Sequence, residues 1–172
     1  MDESQRSATG PVGPDLLGQV FDRHAAALEF YARQWCVNPE DVVQEALVLL
    51  AAEPQAPKDV VAWLHHVVRA RAINASRAAR RRKEHEARAA RLEPGWLASP
   101  PGDIIDAAAA AAALVRLPAE EREVLIARIW SGLTFQQIGQ LMGTSDSTAH
   151  RRYVTALAAL RQELRIACPT ND

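Results

Sequence analysis

Residues 134–153, TFQQIGQLMGTSDSTAHRRY, hold two helical apolar periods separated by a glycine and a run of small hydroxyl residues. Phe135, Ile138, Leu141 and Met142 recur at three- and four-residue steps, which puts them on one helix face. Thr134 stands where an N-cap belongs, and Gly143 can take the left-handed conformation that ends a helix without a Cβ clash. Ser145 or Asp146 can cap a second helix, whose inward positions are Ala149, Tyr153, Ala156, Leu157, Leu160 and Leu164. Gly139, inside the first helix, costs about 1 kcal/mol relative to alanine. Close approach of the second helix at that point would explain the cost. Two short helices around a tight glycine turn make a helix-turn-helix. The second helix then exposes Ser147, Thr148, His150, Arg151 and Arg152 near its N-terminus, the end that such motifs insert into a DNA major groove. Arginine reads guanine edges or holds phosphates, and hydroxyls serve either purpose. An ordinary helical hairpin with a charged outer face is the plainer alternative.

The rest of the chain is of the same kind. Its 172 residues are 48% hydrophobic but only 5% aromatic, and Ala, Leu, Arg and Glu, all helix formers, are prominent throughout. No run of β-branched residues alternates with polar ones, so the expected class is all-α. The first 14 residues read as a disordered tail. Leu16, Leu17, Val20, Phe21, His24, Leu28, Tyr31 and Trp35 then follow helical steps. Asn38 and Pro39 suit an N-cap and a first helical position, and "PEDVVQEALVLLA" places acids in its first turn, complementing the helix dipole. "EPQAPKD" breaks that helix. A long helix follows over about 60–88, apolar at Val60, Leu64, Val67, Val68 and Ala75 and almost wholly charged after Ala79. "LEPGWLASPPGDIID", residues 92–106, reads as a flexible linker. Helix restarts at the Ala107–Ala113 run, and Pro118 opens another. The expected organisation is two small helical domains, 15–91 and 107–167, with a tail at 168–172.

Charge is divided unevenly. The net charge is −1, yet residues 69–91 carry nine Lys/Arg against two Glu and the remainder is acidic. That split suits a polyanion-facing segment on an otherwise acidic protein. The acidic, polar N-terminus lacks the blocks of a signal peptide, and no apolar run is long enough to span a bilayer. Cys36 and Cys168 form neither a disulfide framework nor a metal-ligand spacing. The expectation is a reduced, cytoplasmic protein with no metal and no cofactor.

Catalysis is not expected either. His65 and His66 are adjacent, hence about 100° apart on a helix, and cannot share a metal as an i, i+4 pair would; one packed and one exposed is the expectation. Cys36 reads as a small packed residue. Glu120, Glu121 and Glu123 form an N-terminal acid cluster that suits the helix dipole. Trp63 suits the core better than a base-stacking platform. Trp96, in the linker, is a candidate partner contact. No glycine-rich phosphate loop occurs.

Two longer stretches carry a family resemblance. "LPAEEREVLIARIWSGLTFQQIGQLMGTSDSTAHRRYVTALAALRQEL" resembles region 4 of bacterial RNA polymerase sigma factors. "LLGQVFDRHAAALEFYARQW", "NPEDVVQEALVLL" and "VVAWLHHVVRARAINASRAARRR" resemble region 2. Two regions in that order, with a linker and little else, are similar to the small extracytoplasmic-function group. The resemblance implies that Asp41, Gln44, Glu45 and Leu47 dock on the clamp helices of the core RNA polymerase's largest subunit. It implies that Trp63, His66, Arg69, Asn74 and Arg77 face the downstream promoter element, and that the Pro-rich loop before them holds an extruded base. Ser147, Thr148, His150, Arg151 and Arg152 would read the upstream element of promoter DNA. An anti-sigma protein is the further partner implied. The chain departs from the family in its short loop, "AAEPQAPKD", which has no aromatic residue, in Ala70 where asparagine is common, and in "STAHRRYVTA". A polymerase-independent helix-turn-helix regulator and a sigma-like interaction protein that no longer melts DNA are the competing readings.

Overall fold

The computed structural model describes residues 12–86 and 105–167, which form seven helices and no strand. The chain divides into two compact units between Leu92 and Glu93. The expected tails, most of the expected linker and Trp96 lie outside the described residues.

The first unit packs α1 (Pro14–Ala32), α2 (Pro39–Ala52) and α3 (Val60–Glu86) against one another. Pro14 and Pro39 begin their helices, where a missing N–H costs nothing. Asn38 occupies the N-cap of α2, but its side chain makes no capping hydrogen bond; the proline and the acids Glu40 and Asp41 set that helix start instead. Asp59 caps α3, its Oδ1 accepting from the Ala62 N–H at 3.0 Å. Leu28, Tyr31, Val43, Ala46, Leu50, Leu64, Val68 and Ala72 are fully buried. Tyr31 makes edge contacts with Trp35 and His65, ring centroids 5.0 and 5.1 Å apart. The expected apolar face of α1 is narrower than its sequence suggests. Phe21 is turned outward and 52% exposed.

The second unit contains α4 (Ile105–Arg116), α5 (Ala119–Ile129), α6 (Phe135–Met142) and α7 (Asp146–Ala167), with α7 packed on the other three. Helix α4 includes Ile105 and Asp106 ahead of the alanine run. Pro118 is the N-cap of α5. Arg122 Nη1 donates to the carbonyls of Val115 and Leu117 at 3.1 and 3.4 Å, satisfying the end of α4. The core contains Leu114, Leu117, Val124, Leu125, Ile126, Leu133, Ile138 and Ala149. Glu123 is buried too, so the acid cluster of α5 is not uniformly a solvent-facing dipole partner. Of the inward positions expected on α7, Ala149 and Ala156 are fully buried, while Tyr153, Leu157, Leu160 and Leu164 are half-buried.

Candidate nucleic-acid interface and acidic helix face

Local chemistry builds the α6–α7 pair. Thr134 Oγ1 accepts from the Gln137 N–H at 3.2 Å, and Gln137 Oε1 accepts from the Thr134 N–H at 2.6 Å, closing a capping box. At the other end Gly143 adopts φ 67°, and the Thr144 N–H reaches back to the Gly139 carbonyl at 2.8 Å. This is a Schellman closure, which needs a residue without a Cβ penalty at the left-handed position. Of the two candidate caps for α7, Ser145 takes the role: its Oγ accepts from the Thr148 N–H at 3.1 Å. Gly139 lies against the turn backbone and the start of α7. A Cβ there would sit 2.9 Å from the Thr144 carbonyl oxygen and 3.1 Å from the Asp146 nitrogen.

Helix α7 separates the residues expected to touch DNA. Ser147, His150 and Arg151 are exposed on its outward face. Phe135 of α6 holds His150 edge-on, ring centroids 4.9 Å apart, and Phe135 itself lies under the Arg128 guanidinium, 5.0 Å away. The half-buried Thr148 is drawn into the cap of α7: its N–H donates to Ser145 Oγ, whose hydroxyl donates to Thr148 Oγ1 at 2.9 Å. Arg152 is turned the other way. Its Nη2 lies 2.5 Å from Glu120 Oε2 of α5, with 29% of its side chain exposed. Val154, absent from the sequence-derived set, is 51% exposed on the same face as Ser147 and Arg151.

On α3, Trp63, His66, Ala70, Asn74, Arg77 and Arg81 recur at three- and four-residue steps and form one stripe opposite the buried Leu64, Val68 and Ala72. His66, Asn74, Arg77 and Arg81 are exposed, whereas Trp63 is half-buried. Arg69 lies at the stripe's edge, half-buried. Arg81 completes the line and could have been found from its spacing to Arg77. His65, by contrast, is 1% exposed. Its Nδ1 donates to the Val61 carbonyl at 2.8 Å, and burial, more than any neighbour, lowers its pKa to about 4. One histidine packed and one exposed is therefore the arrangement found.

Helix α2 presents Asp41, Gln44 and Glu45 to solvent, with Leu47 half-buried. With Val48, Leu49 and Arg71 the three polar residues line an open groove. Glu45 Oε2 accepts from Arg71 Nη1 at 2.5 Å, so an α3 arginine neutralises part of this acidic face. Cys36 is half-buried and its Sγ donates to the Ala32 carbonyl at 3.4 Å. Burial, then Glu40 and Asp41, push the thiol up, which disfavours its thiolate form. Among the described residues no His/Cys/Asp/Glu group could hold a metal ion, and no helix is long and apolar enough to cross a membrane.

Fold and surfaces together define a two-module helical protein whose second module is a helix-turn-helix with polar and basic side chains on its outward helix. Residues 20–82 match the family model for sigma-70 region 2, and residues 113–162 match that for sigma-70 region 4. The chain belongs to the sigma-70 family: it is a sigma factor, which binds core RNA polymerase and directs promoter recognition and transcription initiation. Sigma factors are in general non-catalytic. Several solved structures share the fold. The sigma factor RpoE from Bartonella quintana, determined with the anti-sigma factor NepR, superposes with a TM-score of 0.71 at 22% identity, over 90% of this chain and 99% of that one. CnrH, determined with the cytosolic domain of CnrY, gives a TM-score of 0.60 at 22% identity, over 90% of each chain. No curated protein sequence matches significantly.

Proposed function

We propose that this protein is a sigma factor of the extracytoplasmic-function group, acting in the cytoplasm without enzymatic activity of its own. The observation that carries this reading is the pairing of a complete, capped helix-turn-helix with a separate helical unit whose acidic and basic faces lie on different helices. The α2 face of Asp41, Gln44 and Glu45, with the half-buried Leu47 off its edge, docks on core RNA polymerase, because acids there would repel DNA phosphate and suit a basic or mixed protein surface. The α3 stripe of Trp63, His66, Asn74 and Arg77, with Arg69 at its edge, faces the downstream promoter element, where its cations displace counterions. Ser147, Thr148, His150 and Arg151 of α7 meet the upstream element; Arg152 supports α7 through Glu120. An anti-sigma protein is the expected regulator, as the similarly folded RpoE was determined with the anti-sigma factor NepR. Run-off transcription with purified core enzyme tests the reading. Promoter-specific transcripts that require the chain support it, whereas upstream DNA binding without polymerase-dependent transcription would leave a helix-turn-helix regulator.

A further inference from the structure

The outward face of α7 is centred on Ser147 and Val154, seven residues apart and therefore nearly in line along the helix. His150 and Arg151 flank that line, and all four are exposed. The reading of α7 as a groove-docking helix consequently carries Val154 into the groove with them. Seven residues of helix rise about 10 Å, a span of roughly three base-pair steps.

The chemistry presented at that depth is apolar. Val154 is 51% exposed. The hydroxyl of Thr155 is spent on the Arg151 carbonyl at 3.1 Å, and the next outward position is the exposed Ala158. Valine is also a costly choice for an exposed helix position, since its β-branch loses rotamer freedom there. Helix stability gives no reason to place it there. In the major groove, the apolar group that bases offer is the C5-methyl of thymine.

We infer that Val154 is a further specificity-determining residue of this sigma factor, selecting thymine in the upstream element through its methyl group. The inference rests on the reading of α7 as the upstream-element helix. Arg151 and His150 supply polar contacts on either side, and Val154 discriminates against bases that present no methyl.

The test uses holoenzyme assembled from the full chain and bacterial core RNA polymerase, selecting from a duplex library randomised over the upstream block. Wild type should enrich a thymine close to the positions that depend on Arg151. Replacing that thymine with uracil removes only the methyl, and should weaken binding about fourfold, the factor expected for burying one methyl-sized group. Val154→Ala keeps the helix, verified by circular dichroism, and should bring the thymine-to-uracil ratio close to one without changing the Arg151-dependent positions. A ratio unchanged in Val154→Ala, or no uracil effect at any selected thymine in wild type, overturns the inference while leaving α7 as the reading helix. If wild type enriches no motif, or Arg151→Ala leaves the motif intact, the α7 reading itself falls and takes Val154 with it.

Discussion

Gly139 faces the carbonyl of Thr144 so closely that a Cβ at Gly139 would lie 2.9 Å from that oxygen. The atoms in the way are backbone atoms of the turn between α6 and α7, which cannot swing aside as a side-chain tip can. Gly139→Ala would gain about 1 kcal/mol of helix propensity but force the two helices apart, at a typical cost of about 1–3 kcal/mol. The clash should win. Thermal unfolding should show a lower midpoint for the unit containing α4–α7, and an unchanged or higher midpoint would show that the turn gives way freely.

Arg151 and Arg152 are neighbours with different roles. Arg151 is exposed on the outward face, whereas Arg152 is paired with Glu120. Arg151→Ala should weaken upstream-element binding by about 1–3 kcal/mol if it reads a base bidentately. If it holds a phosphate, affinity should instead fall uniformly across sequences with a flatter salt dependence. Arg152→Ala should leave binding nearly unchanged and cost at most about 1 kcal/mol of stability, as for other partly exposed pairs. Fluorescence anisotropy over a salt series separates these outcomes. Equal losses for both variants would return Arg152 to the DNA face.

The contrast between those arginines marks how far sequence carried the fold and the site. The α6–α7 geometry was legible because capping box, glycine closure and apolar period are all local signals within a few residues of one another. Ser145 and Asp146 stayed undecided because both side chains can cap; only the Thr148 N–H contact distinguishes them. The Arg152–Glu120 pair was illegible, since its partner sits on another helix and depends on how α5 crosses α7. The same holds for Arg71 on Glu45, and for Phe21, whose three- and four-residue spacing fits the apolar stripe of α1 but whose side chain lies beyond its edge. An exposed valine such as Val154 carries no local signal of its own, and its placement beside Ser147 and Arg151 emerges only once the packing of α7 defines its outward face.

His65 makes the first unit sensitive to acid. Its Nδ1 is occupied by the Val61 carbonyl and its Nε2 is buried without a hydrogen-bond partner, so a second proton would place a charge in the core. The folded value, about 4, lies below the ordinary 6.5. The unfolded chain therefore binds more protons between those values, and stability is full above pH 6.5, declines as pH falls through the window and levels off below about 4. The contribution amounts to about 3 kcal/mol. His65→Phe retains an aromatic contact for Tyr31 and should remove this part of the slope, whatever its effect on stability at neutral pH. Urea unfolding at a series of pH values checks it; parallel pH profiles for wild type and variant would dismiss His65 as the cause.

Docking on core polymerase needs a test that respects the Glu45–Arg71 bridge. Reversing Glu45 alone changes two things, because it removes a negative charge from the α2 face and leaves Arg71 facing a like charge. Among the described residues Asp41 has no ion-pair partner to disturb, but it is a first-turn acid of α2. Asp41→Lys is therefore read together with Asp41→Asn, which removes the charge without setting a cation against the helix dipole. Both residues are exposed and the bridge is a surface pair, so folding should lose at most about 1 kcal/mol. Core affinity should fall roughly tenfold or more for Asp41→Lys and for Glu45→Lys, the size expected for charges at a protein interface. The deciding variant is Glu45→Lys combined with Arg71→Glu. It restores an ion pair between α2 and α3 but presents the wrong sign to the partner, and it should bind core polymerase no better than Glu45→Lys alone. Titration against core enzyme, alongside run-off transcription, reads these variants together. Recovery of wild-type binding by the swapped pair would make the bridge itself, through the orientation of α2, the requirement. Unchanged binding in all of these folded variants would show that the acidic face of α2 is not where core polymerase docks.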